Sequence, residues 1–187
     1  FGKVEFDKRV KAETDGAPMA DASTHCWPHG IPRVMNSPYP IQIIQSPGKI
    51  SIVHEVGHNI RQIRMDVPMP ENVPTSFLGY SVGHWEGNTL VIETIRNSPR
   101  DRVRGLMAKF VVNPDAKVIE RYTRLSANEL LYQFTIEDPA AYSTPWLAEF
   151  SFYATKTGMY PSPCHEHNHS LPNILLGQRM EDLRTGH

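Results

Sequence analysis

Between Ile41 and Phe152, apolar side chains recur every second residue in short runs, each closed by glycine, proline or asparagine. That period belongs to strands with one buried face, and no stretch long enough for a crossover helix lies between the runs. Ile41 and Ile43 flank Gln42, and Ser46-Pro47-Gly48 turns the chain into Lys49-Ile50-Ser51-Ile52-Val53. Tyr80 to Trp85 leads through Glu86-Gly87-Asn88 into Thr89-Leu90-Val91-Ile92-Glu93, a run rich in β-branched residues. Lys117 to Leu125 turns through Ser126-Ala127-Asn128 into Leu130, Tyr132, Phe134 and Ile136 on one face, and Trp146, Ala148, Phe150 and Phe152 repeat the pattern. Roughly eight to ten strands are expected, in a mainly β fold. An antiparallel meander hides its edges most simply by closing into a barrel, whose lumen is filled or holds one small ligand.

The flanks read differently. Val4 to Ala12 predicts a short N-terminal helix, stopped by Asp15-Gly16-Ala17-Pro18. Pro28, Gly30, Pro32, Pro38 and Pro40 then predict an extended, Pro-rich arm, with Trp27, Val34, Met35 and Tyr39 to bury. One domain results: residues 1–39 form the helix and arm, and residues 40–187 form the barrel with a His-rich C-terminal segment. With 19 Lys and Arg against 20 Asp and Glu, the chain lacks the positive charge that attracts nucleic acid. No apolar run approaches the roughly 18 residues of a membrane span. The partner expected is a small-molecule ligand or substrate. Phe1-Gly-Lys-Val-Glu-Phe reads as mid-chain, so a leader has been removed or was never there. A Cys26–Cys164 bridge would close a long loop, worth on the order of 4–5 kcal/mol by chain entropy, and would suit an oxidising compartment. Two unrelated buried thiols are the alternative.

His54-Glu55-Val56-Gly57-His58 has the letters of the H-E-x-x-H zinc signature. The signature works on a helix, which sets both imidazoles on one face beside the glutamate. Here Pro47-Gly48 and a β-branched run precede it and Gly57 interrupts it, so an extended segment is expected, with the rings about 13 Å apart. A metal reading through His54 and His58, or through His165 and His167 of Cys164-His165-Glu166-His167-Asn168-His169, stays as the alternative; otherwise no cofactor is expected.

Five segments together resemble a family of bacterial exported proteins of uncharacterised function. They are Cys26-x-Pro28-x-Gly30-x-Pro32-Arg33-x-Met35, Gln45-Ser46-Pro47-Gly48, Gly83-His84-Trp85-Glu86-Gly87-Asn88-Thr89-Leu90-Val91, Ile136-Glu137-Asp138-Pro139 with Pro145-Trp146, and Cys164-His165-Glu166 before Asn173-Ile174-Leu175. The resemblance spans nearly the whole chain. It implies a signal peptide, a periplasmic or secreted location and a lipocalin-like (calycin-type) barrel by analogy. It also implies that Glu55 and Arg61 recur where His54 does not. Asn88 in place of the usual Asp and the His-rich C-terminal cluster depart from the pattern.

Read as an extended segment, Glu55 and Arg61 share a face and could project inward as a carboxylate beside a guanidinium, tuned for acid–base work or merely fixing register. His58, and the alternating His84 and Glu86, are the other catalytic candidates. Tyr80, Trp85, Tyr132, Phe134 and Phe150 are the candidate ligand-binding aromatics. No G-x-S-x-G elbow or phosphate loop occurs. Two function classes follow: a barrel that binds a small, partly apolar molecule, and an enzyme of lyase, hydratase or isomerase type on the same barrel.

Overall fold

The alternating runs become eight strands in the computed structural model, which describes residues 26–100, 112–160, 162, 164 and 169–186. The expected helix over Val4 to Ala12 lies outside those residues. The strands are β1 (Ile41–Ser46), β2 (Lys49–His54), β3 (Ile60–Met65), β4 (Tyr80–Glu86), β5 (Thr89–Ile95), β6 (Lys117–Arg124), β7 (Glu129–Glu137) and β8 (Trp146–Tyr153). They form one sheet in chain order. The turn residues do what their chemistry allows. Pro47-Gly48 joins paired Ser46 and Lys49 with Gly48 at φ +69°, and Gly87-Asn88 joins paired Glu86 and Thr89 with Gly87 at φ +57°.

Every pairing is antiparallel except β3 with β4, which run parallel from Ile63↔Ser81 to Met65↔Gly83. The connection over residues 66–79, with Pro68, Pro70 and Pro74, returns the chain to the same end of the sheet without a helix. Gly83 permits the close contact there: a Cβ on it would sit 2.9 Å from Ile63 Cγ2 and 3.1 Å from Met65 Sδ. Among the described residues no pairing joins β1 to β8, so the sheet is a curled half-barrel, where the sequence suggested closure. Strand β1 leaves Gln42, Gln45 and Ser46 exposed, polar side chains that suit a free edge.

The concave face holds the core, from Ile50, Ile52 and Ile63 across Ile92 and Val118 to Tyr132, Phe134 and Ile136. The Pro-rich arm plugs this core more than it wraps it. Hydrogen bonds from Val34 N–H to Gly30 O (2.9 Å) and Met35 N–H to Pro32 O (3.0 Å) wind a short 3-10 turn at Arg33–Asn36. That turn drives Ile31, Val34 and Met35 into the interior, each 1% exposed. Trp27 and Tyr39, expected to bury, stay substantially exposed, and Trp27 tilts against Phe77. Cys26 and Cys164 are bonded, which ties the arm to the C-terminal segment. Beyond it runs α1 (Ser170–Thr185), closed by Gly186 in the left-handed conformation, whose N–H reaches Asp182 O. No helix among the described residues is long and apolar enough to cross a membrane.

Candidate functional site

Alternation on β3 turns Arg61, Ile63 and Met65 inward, and on β6 it turns Val118, Glu120 and Tyr122 inward. Arg61 and Glu120 meet in the interior, 1% and 0% exposed. Arg61 Nη1 donates to Glu120 Oε1 at 3.0 Å, and Nη2 donates to Glu120 Oε2. The same guanidinium donates through Nε and Nη2 to Ser81 Oγ (3.2 and 3.1 Å) and through Nη2 to Thr94 Oγ1 (2.7 Å). Glu120 Oε1 also accepts the hydroxyls of Tyr122 (3.1 Å) and Tyr132 (2.8 Å). Burial works against the charge on Arg61, but the Glu120 carboxylate outweighs it and holds the guanidinium above its ordinary value. Burial first, and then the Glu120 charge, raises both tyrosines well above the usual phenol, so both remain hydroxyl donors. The network is a closed, neutral unit.

The carboxylate beside Arg61 is thus Glu120, and Glu55 lies elsewhere. The His54–His58 segment is neither helix nor continuous strand. It is a reversal between β2 and β3, with Gly57 at φ +67°, His58 at φ +50°, and His54 N–H bonded to Asn59 O at 2.8 Å. The reversal sends the two imidazoles apart. His54 points inward at 2% exposure, whereas His58 is exposed and accepts the Ser162 N–H at Nε2 (2.7 Å). Glu55 Oε2 accepts the Tyr160 N–H at 2.9 Å, and Val56 bridges Ser162. Glu55 and His58 therefore clasp the segment that leads to Cys164. His165 and His167 lie outside the described residues, and among the described ones no three His, Cys, Asp or Glu gather as metal ligands.

His54 carries a pH signature. Its pKa falls to about 4, through desolvation first and the nearby Arg61 charge second. Between about pH 6.5, the ordinary value, and pH 4 the unfolded chain binds a proton that the folded one refuses. Stability from this group is therefore full above about 6.5 and lost as pH falls towards 4, by about 3 kcal/mol in all. Urea unfolding at pH 7 and pH 4.5 is expected to show that fall in the native protein and a flatter profile in His54→Leu. Equal slopes would contradict it.

His84 and Glu86 are paired, Nε2 to Oε1 at 3.1 Å, but on the outer face, where Arg121 also donates to Glu86 Oε2 at 2.7 Å. The Arg121 bond, then the His84 bond, lowers the Glu86 pKa. Tyr80 is on that face too, with the Arg64 guanidinium 4.5 Å from its ring centroid. The other aromatics face inward. Tyr132 is the hub, its ring 4.9 Å from Tyr122, 5.1 Å from Phe150 and 5.6 Å from Phe134.

Trp85, Tyr122 and Phe150 open onto a groove of about 1980 Å³ between the β1 and β8 edges, walled also by Ile41, Ile43 and Phe152. The sequence reading missed Glu120, Tyr122 and the arm's share of this groove, through Met35 and Tyr39. The signal for Glu120 was present: Val118, Glu120 and Tyr122 alternate, which sets a glutamate between two core residues. Compared with known proteins, the chain matches no family model, no curated protein and no solved structure.

Proposed function

We propose that this protein binds a small, partly apolar molecule in the groove between β1 and β8, a half-closed counterpart of a lipocalin-like cup. The observation that carries the reading is the groove: about 1980 Å³, floored by Tyr122, Phe150 and Phe152 and flanked by Trp85 at 48% exposure. Large apolar side chains left facing an open concavity are the usual lining of a ligand site. Binding is favoured over acid–base catalysis because Glu55 and His58 are engaged by the C-terminal segment, and His84 and Glu86 lie on the outer face. A periplasmic or secreted location is part of the proposal, supported by the Cys26–Cys164 bridge and by the resemblance to exported proteins.

N-phenyl-1-naphthylamine, an uncharged dye that brightens in apolar surroundings, tests this. Saturable binding is expected and the dye should be recovered unchanged. Trp85→Ala, which removes an exposed wall, is expected to weaken binding about tenfold with the melting temperature little altered. Absence of saturable binding, or an affinity indifferent to Trp85, would refute the reading.

A further inference from the structure

The charges around the groove narrow the class of molecule it accepts. Among the described residues that line it, only Arg124 and Glu129 carry charged side chains, and they are of opposite sign. Both are engaged. Arg124 donates through Nε to Ser126 O (3.0 Å) and through Nη2 to Ala127 O (3.1 Å). Glu129 Oε1 accepts the hydroxyls of Ser151 (2.8 Å) and Tyr153 (3.4 Å).

Beneath the floor lies the cation that could have attracted an anion, but Arg61 already holds Glu120. Tyr122 connects the two levels, since its side chain lines the groove while its hydroxyl donates to Glu120 Oε1. The remaining polar lining consists of amides and hydroxyls, among them Asn36, Gln42, Asn88, Asn128 and Thr155. Such groups bond a neutral hydroxyl, carbonyl or amide as readily as each other. An anion entering this groove would lose hydration against a lining with no net positive charge, since Arg124 is held to the Ser126 and Ala127 carbonyls and the Glu129 carboxylate of the same hairpin offsets it.

We propose that the groove selects uncharged ligands, with an apolar or aromatic body and hydroxyl, carbonyl or amide groups, and discriminates against carboxylates and sulfonates. This rests on the groove being the ligand site. Glu120 serves as an internal counter-charge, so that the buried arginine presents no net positive charge to the groove above it.

Two dyes that share one ring system make the test. N-phenyl-1-naphthylamine is neutral, and 8-anilino-1-naphthalenesulfonate adds a single sulfonate. At pH 7 the neutral dye is expected to bind the full chain at least about tenfold more tightly. Equal or tighter binding of the sulfonate would overturn the selectivity and leave the groove reading standing. If neither dye binds, both readings fall together.

Two variants probe the cause. Glu120→Gln removes the counter-charge to Arg61, and Gln45→Lys, at an exposed lining position on the free edge, adds a cation without touching the core. Each folded variant is expected to shift the ratio of sulfonate to neutral-dye affinity about fivefold or more towards the sulfonate. An unaltered ratio in Gln45→Lys would overturn the proposal even where Glu120→Gln does not fold.

Discussion

Replacing Glu120 with leucine is expected to cost about 3–5 kcal/mol of stability, because Arg61 would be left charged and unpaired in the interior. The carboxylate also accepts from Tyr122 and Tyr132, so its removal strands two hydroxyls as well. Most of the loss is attributable to the abandoned guanidinium, not to any intrinsic worth of the pair. Adding Arg61→Met should therefore recover at least half of it, since Ser81 and Thr94 still bond each other at 2.9 Å. Urea unfolding of the two single variants and the double variant measures this directly. Additive losses in the double variant would show that the two residues act independently.

Cutting the Cys26–Cys164 bridge is the other large perturbation. It spans 138 residues of sequence, and chain entropy alone gives about 5 kcal/mol for a loop of that size. A Cys26→Ser, Cys164→Ser double variant is expected to lose a comparable amount. The loss should begin at the ends, because the bridge joins the arm that buries Ile31, Val34 and Met35 to the segment clasped by Glu55 and His58. Hydrogen exchange should quicken at the Val34 and Met35 amides before it does in β5 or β6. Uniform acceleration across the sheet would contradict that order.

Much of the sheet was legible because alternation is local. A residue such as Phe134 reports its face through its two neighbours, and Pro47-Gly48 or Gly87-Asn88 reports a turn on its own. The parallel β3–β4 pairing was not legible, since nothing within Ile60–Met65 specifies which direction its next neighbour runs. The Arg61 partner was missed for a related reason. Glu55 and Arg61 lie close in sequence and share a face only if the chain stays extended, whereas Gly57 and His58 take positive φ and break that face in two. Glu120 reaches Arg61 across β4 and β5, a contact set by sheet curvature rather than by spacing. Helix α1 could have been expected from Pro172 near its start and Gly186 just past its end, but the histidine cluster ahead of it drew the reading towards metal ligands.

The central claim is that the groove between β1 and β8 is the ligand site. Backbone amide chemical shifts, recorded while N-phenyl-1-naphthylamine is titrated into the full chain, test it most directly. Shifts are expected at Ile41–Ile43, at Trp85 to Leu90 and at Phe150 to Tyr153, where the groove walls converge. Shifts confined to the His54–His58 turn or to the outer face around His84, with the groove walls silent, would contradict the claim.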